Sequence, residues 1–279
     1  MPFLRTRPAL RGMLIVALLL AAVGVSAGTA QASPLPTLSL AITSSSITVG
    51  GTTQSGAVNV VSTATHFKEP SVLLFQLKPG ATFAEVEAAI QAAHGEINVT
   101  SKFGSIVFDT EVTPGQTSEV QTDLQPGQYV AVVPAEKGSR AHANFTVTAS
   151  ATPATLPTPQ ATVRSIEFGF RGPSTLHDGE LVRFENEGFL VHMDVAAPVK
   201  NMQDAKKAVK DLRAGNERAV GKLIAGAPVT FAGPISHEAF QQETITAKPG
   251  IYVQVCFMET QDGRDHALLG MERIIKITK

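Results

Sequence analysis

The chain has 279 residues, with 24 acidic side chains against 23 basic ones and a single cysteine. The near-zero balance without a basic stripe excludes nucleic acid as an evident partner, and one cysteine excludes an internal disulfide, so the fold must rest on its apolar cores. Tryptophan is absent, while 23 glycines and 17 prolines punctuate the chain, the pattern of short strands joined by tight turns.

The first residues, "MPFLRTRPALRGMLIVALLLAAVGVSAGTAQAS", carry Arg5, Arg7 and Arg11, then an apolar run from Met13 to Val25, then Ala30-Gln31-Ala32. A basic region, a short apolar core and an A-x-A site read as a signal peptide, residues 1–32, cut after Ala32. The mature protein is thus expected outside the cytoplasm, secreted or in the periplasm or cell envelope. No later apolar run is long enough to span a bilayer, and no cysteine follows the cut to carry a lipid.

Residues 33–148 form the first expected domain. The apolar strand "SVLLFQL" precedes "TFAEVEAAIQAAHG", where Thr82 and Glu85 stand at capping-box spacing and Gly95 closes a helix. Residues 149–162, "ASATPATLPTPQAT", are almost all Ala, Ser, Thr and Pro, and predict an extended linker that does not pack. Residues 163–279 form the second domain. It offers β-rich runs in "VRSIEFGF", "ELVRFENE", "AFQQETITA" and "RIIKITK", and a helical insert, "NMQDAKKAVKDLRAG", that opens on Asn201 and closes on Gly215, with "NERAVGKLI" adding a short turn.

The two halves run in step. In "LQPGQYVAVV" and "AKPGIYVQVC", Pro126 and Pro249, Gly127 and Gly250, and Tyr129 and Tyr252 coincide, so a tandem repeat is expected. The pattern predicts a mainly β chain: two Greek-key β-sandwiches, each with a helical insert that covers a sheet edge or end.

In the second half the soft donors are ordered. His192 ends "GELVRFENEGFLVH", Cys256 ends "KPGIYVQVC", and His266 and Met271 follow in "HALLGMERIIKI". Two imidazoles, a thiolate and a thioether are the trigonal N, N, S set with a weak axial sulfur that copper uses when cycling between its two oxidation states.

These three segments resemble the cupredoxins, the blue-copper family of plastocyanin and azurin. The resemblance implies copper held by His192, Cys256, His266 and Met271, with Asn186, not itself a ligand, steadying the cysteine loop. It further implies single-electron transfer and a redox partner protein, which nothing in the sequence identifies; oligomeric state is equally unspecified. By the repeat register Leu74 takes the place of His192 and Val133 that of Cys256, with only His142 echoing His266, so the first half is expected to hold no metal.

The loop between Cys256 and His266 holds nine residues, including Asp262-Gly263, a strong two-residue hairpin signal. A regular hairpin would put His266 on the order of 10 Å from Cys256. Either the loop is irregular and returns His266 to the cysteine, or the four residues hold no metal. In the second case the chain is a metal-free adhesion or binding module of the cell envelope, with Cys256 a small buried hydrophobe.

Enzyme chemistry is disfavoured. No His-x-His pair serves an oxygen-reducing copper cluster, the G-x-S-x-G match lies in the signal peptide, and a Cys256–His266 nucleophile pair leaves His192 and Gly270-Met271 without a role. His66, His94, His177 and His237 read as surface residues.

Overall fold

The computed structural model describes residues 34–65, 71–134 and 141–279. The signal-peptide reading of residues 1–32, and His66, lie outside them. In the first half the strands are β1 Thr37–Ile42, β2 Ile47–Gly51, β3 Gly56–Ala64, β4 Ser71–Leu77, β5 Gly104–Glu111, β6 Thr117–Leu124, β7 Gly127–Val132 and β8 His142–Val147. The second half contributes β9 Ala161–Ile166, β10 Gly169–Arg171, β11 Thr175–His177, β12 Leu181–Asn186, β13 His192–Val199, β14 Val229–Ile235, β15 Phe240–Thr244, β16 Gly250–Val255 and β17 Glu272–Thr278. The helices are α1 Phe83–Ala92, α2 Met202–Arg213 and α3 Glu217–Gly221.

The chain is mainly β, as composition and turn punctuation require. One sheet of eight strands, in the order β10-β9-β12-β15-β6-β3-β1-β2, runs through both halves. Its two parts join where Gln242 of β15 pairs with Gln121 of β6. Sheets of four strands (β5-β4-β7-β8) and five strands (β11-β17-β16-β13-β14) each pack on one part of it. Leu38, Val60 and Val120 of the long sheet meet Leu74, Phe108 and Tyr129 of the four-stranded sheet. Val163, Val182 and Phe184 meet Phe231, Tyr252 and Ile275 of the five-stranded one. The alternating burial of β12 is that of a strand with one face in a core.

Strands β4 and β16 are buried on both faces, so their sheets need a second cover. The helices supply it. Thr82 and Glu85 form the expected capping box of α1, which packs Phe83 and Val86 on Phe75, Ile106 and Val130. Asn201 caps α2 through the Asp204 amide, and Ala205, Ala208 and Leu212 pack on Val195, Val253 and Val255. Both helices therefore lie on outer sheet faces, a correction to the expectation that they cover an edge or end.

Tyr129 donates its hydroxyl to Gln125 O at 2.9 Å, and Tyr252 donates to Lys248 O at 2.7 Å, each to the carbonyl four residues earlier. The Pro/Thr/Ala segment is extended but docked, contrary to the expectation that it does not pack. Ala57 N donates to Ala154 O at 3.0 Å and Gln242 Nε2 to Pro157 O at 3.1 Å. Backbone carbonyls need no apolar periodicity to find partners on a neighbouring sheet.

"VRSIEFGF" is a tight hairpin rather than one strand: Gly169 pairs with Ile166, and Glu167-Phe168 make the turn, with Phe168 at φ 56°. Neither turn residue belongs to the Asn, Asp and Gly set that signals such a turn.

Candidate metal centre

Antiparallel neighbours put the start of one strand beside the end of the next. His192 opens β13 and Cys256 follows β16, its partner, so both emerge at one pole of the five-stranded sheet. Met271 immediately precedes β17 on the other side of β16, and Cys256 N donates to its carbonyl at 3.2 Å.

His266 reaches that pole because the loop is regular only at its tip. Glu259 and Asp265 form a single bridge, Thr260 N donates to Arg264 O at 2.9 Å, and Gly263 turns at φ 76°. His266 N then donates to Met258 O at 2.8 Å, and His266–Leu269 coil into a 3-10 turn that ends on Gly270 at φ 103°. Of the two outcomes the spacing allowed, the irregular loop is the one adopted.

Three donor atoms converge. His192 Nδ1 lies 3.1 Å from His266 Nδ1, Cys256 Sγ lies 3.5 Å from His266 Nδ1, and Cys256 Sγ lies 3.9 Å from His192 Nδ1. All three residues, and Met271, have 0% exposure. Trigonal coordination at the bond lengths of imidazole–thiolate zinc sites would space the nitrogens by about 3.5 Å and each nitrogen from sulfur by about 3.8 Å. The donor triangle therefore fits one small metal ion.

The nitrogens facing away say the same. Both Nε2 atoms are buried without a hydrogen bond, and the Glu167 carboxylate stands 3.7 Å from His192 Nε2. Protonating each ring on Nε2 aims His192 toward that carboxylate. It also leaves two Nδ1 lone pairs and a sulfur facing one another, an arrangement that a cation converts from repulsion to coordination.

Protonation states follow from burial. His192 is pushed down to about 4, by burial first and the neighbouring His266 second, against the pull of Glu167. His266 is lowered by burial as well. Both rings are thus neutral near pH 7, the ligating form. Burial pushes the Cys256 thiol up to about 12, although the Met193 and Met258 amides favour its thiolate; Met193 N lies 3.4 Å from Sγ.

Asn186 is buried, but its side chain does not reach the cysteine loop. Its Nδ2 donates to Leu190 O and Ile235 O, both at 2.8 Å, and its Oδ1 accepts from Gly188 N at 2.8 Å. It holds the turn before His192 instead, between Gly188 N and Leu190 O. No motif pointed to Glu167, whose Oε1 accepts from Phe189 N at 2.5 Å and Leu190 N at 3.0 Å. Phe168 packs edge-on against His266 at 5.3 Å. Asn98, from the first half, bonds to both ligand-bearing segments. In the first half Leu74 and Val133 are buried core residues, and His142 packs against Phe83 at 4.9 Å. His237 is exposed, as expected, and bonds Gly188 O at 2.8 Å.

No protein-family model and no curated protein matches the sequence. Among solved structures the chain is similar to the dithionite-reduced auracyanin of the photosynthetic bacterium Roseiflexus castenholzii, at 16% identity over 42% of this chain and 95% of that one, TM-score 0.27. It is similar to auracyanin A, a "blue" copper protein of Chloroflexus aurantiacus, at 16% identity over 42% and 96%, TM-score 0.25. A copper nitrite reductase from Nitrosomonas europaea matches at 13% identity over 87% and 93%, TM-score 0.24. What the chain's own residues can hold is set by the donor geometry. The chain's own sheets make a mainly β arrangement of packed sandwiches.

Proposed function

We propose that this is an exported copper protein whose second half, residues 163–279, would hold one ion through His192 Nδ1, His266 Nδ1 and the Cys256 thiolate, with the buried Met271 as a fourth, weaker donor. The observation that carries the reading is the buried donor triangle, with separations of 3.1, 3.5 and 3.9 Å. Bound copper supplies one-electron chemistry by alternating between its two oxidation states.

The chain's part is to fix and shield. Neutral imidazoles offer lone pairs without first losing a proton. The Cys256 thiol gives up its proton on ligation, and the Met193 amide steadies the thiolate that results. Glu167 holds the turn before His192 through two amides, and Phe168 keeps water from the His266 ring. One enclosed centre among the described residues supports the role of electron carrier, served by a separate redox partner, over that of an oxidase. The matched tyrosine bonds of the two halves support a tandem repeat whose first copy, residues 33–148, acts as scaffold.

The test is elemental analysis and visible absorption of the purified mature protein after Cu(II) addition. One copper per chain and an intense thiolate-to-copper band are expected. A colourless protein without copper would overturn the reading.

A further inference from the structure

Asn98 lies in the 3-10 turn Ile97–Lys102 of the first half, yet its side chain is spent on the second. Its Oδ1 accepts from Val191 N at 2.7 Å, one residue before His192. Its Nδ2 donates to Glu259 O at 3.0 Å, inside the loop that joins Cys256 to His266. The side chain is almost wholly buried, 6% exposed, and its own amide is held by Glu96 Oε1 at 2.6 Å. One amide group therefore spans the two segments whose spacing sets the donor triangle.

The surrounding packing gives the strap a rigid base. Val191 and Met258, which flank the ligands, insert among Phe75, Phe83, Ile106 and Val132 under α1. Asn186 and Glu167 hold the His192 turn from within the second half, but neither bonds to residues 257–265. Asn98 ties that loop to the His192 strand, and it does so from a part of the chain that holds none of the three donors.

We propose that Asn98 is a positioning residue of the metal centre: across the boundary between the halves it sets the separation of His192 from the Cys256–His266 loop, and with it copper affinity and ligand field. The proposal rests on the copper reading above. It gives the first half a role in the site.

The test compares the full-length mature protein with Asn98→Asp, which keeps an acceptor for Val191 N–H but loses the donor to Glu259 O. Thr122→Val serves as control; it removes another bond between the halves, Thr122 Oγ1 to Phe240 O at 2.9 Å, far from the ligands in the chain. Asn98→Asp should weaken Cu(II) binding roughly 10–100-fold, as loss of partners that orient ligands does elsewhere. It should also shift the visible spectrum and reduction potential, while Thr122→Val leaves all three unchanged even where it lowers Tm. Should Asn98→Asp not fold, Asn98→Ser carries the same expectation. A variant with wild-type spectrum, potential and affinity overturns the proposal. A wild-type protein that takes up no copper overturns the copper reading first, and the two failures are told apart before any variant is made.

Discussion

His192 Nδ1 and His266 Nδ1 face each other at 3.1 Å across a pocket closed to solvent, from residues 74 apart in the chain. One hydrogen bond can join them only if a ring carries its proton on Nδ1: if that ring is His192 it loses its N–H toward Glu167, and if it is His266 its buried Nε2 is left as an unpaired acceptor. Leaving such a group unpaired costs about 1–3 kcal/mol. That imbalance is tolerable in a site built to receive a cation, and it makes the site testable without touching a donor.

Gly188→Ala is one such test. A Cβ at Gly188 would lie 2.6 Å from His192 Nε2 and 2.8 Å from Glu167 Oε1, closer than real contacts allow. The imidazole must turn away, so Cu(II) affinity should fall roughly 10–100-fold, the scale of lost ligand orientation. Competition titration against a chelator of known affinity measures it; unchanged affinity would mean the ring is not held from that side.

Copper uptake should release a proton. The Cys256 thiol, pushed up to about 12 by burial, is protonated at pH 7, whereas His192, pushed down to about 4, has no proton to lose. About one proton should leave per copper, and affinity should climb about tenfold per pH unit around neutrality. Indicator titration in weak buffer counts the protons. Zero release would remove the thiolate from the ligand set.

A second buried group gives a pH signature independent of the metal. Asp109 of β5 backs onto Gly233 of β14, where an added Cβ would meet it at 2.6 Å, and burial pushes its carboxyl up to about 7. A folded pKa raised above the unfolded value favours the protonated form, so the contribution is complete below about pH 4 and is lost as pH rises toward 7. Asp109→Asn should therefore raise Tm at pH 8, by an amount corresponding to at most about 4 kcal/mol, and the gain should vanish near pH 4. Thermal melts at both values check the sign; a gain that grows toward acid would contradict it.

Much of the site was legible because soft donors at strand ends are rare and their partners were fixed by strand order. "KPGIYVQVC" and "FLVH" are antiparallel neighbours, which brings Cys256 and His192 to one pole whatever the loops do. The return of His266 was not legible, since Asp262-Gly263 announces a hairpin but does not say where its ladder stops. Here it stops at Glu259–Asp265, where the 3-10 turn takes over. The partners of Asn186 were not legible because a side-chain amide can serve any nearby carbonyl, and Leu190 O in the turn before His192 supplied one. Asn98 was beyond reach. Its partners lie 93 and 161 residues away, and a lone Asn in a short polar turn reads as a cap. The sheet shared by the halves was likewise hidden, because it is joined through the single polar pair Gln121–Gln242.

X-ray absorption at the copper edge of the loaded wild-type protein, beside Cys256→Ser, asks most directly whether these donors hold the ion. One sulfur and two imidazole nitrogens in the nearest shell of the wild type, with the short sulfur contribution gone in the variant, is the predicted result. A shell of oxygen atoms alone, or a short thiolate-length sulfur contribution that persists without the thiol, would contradict it.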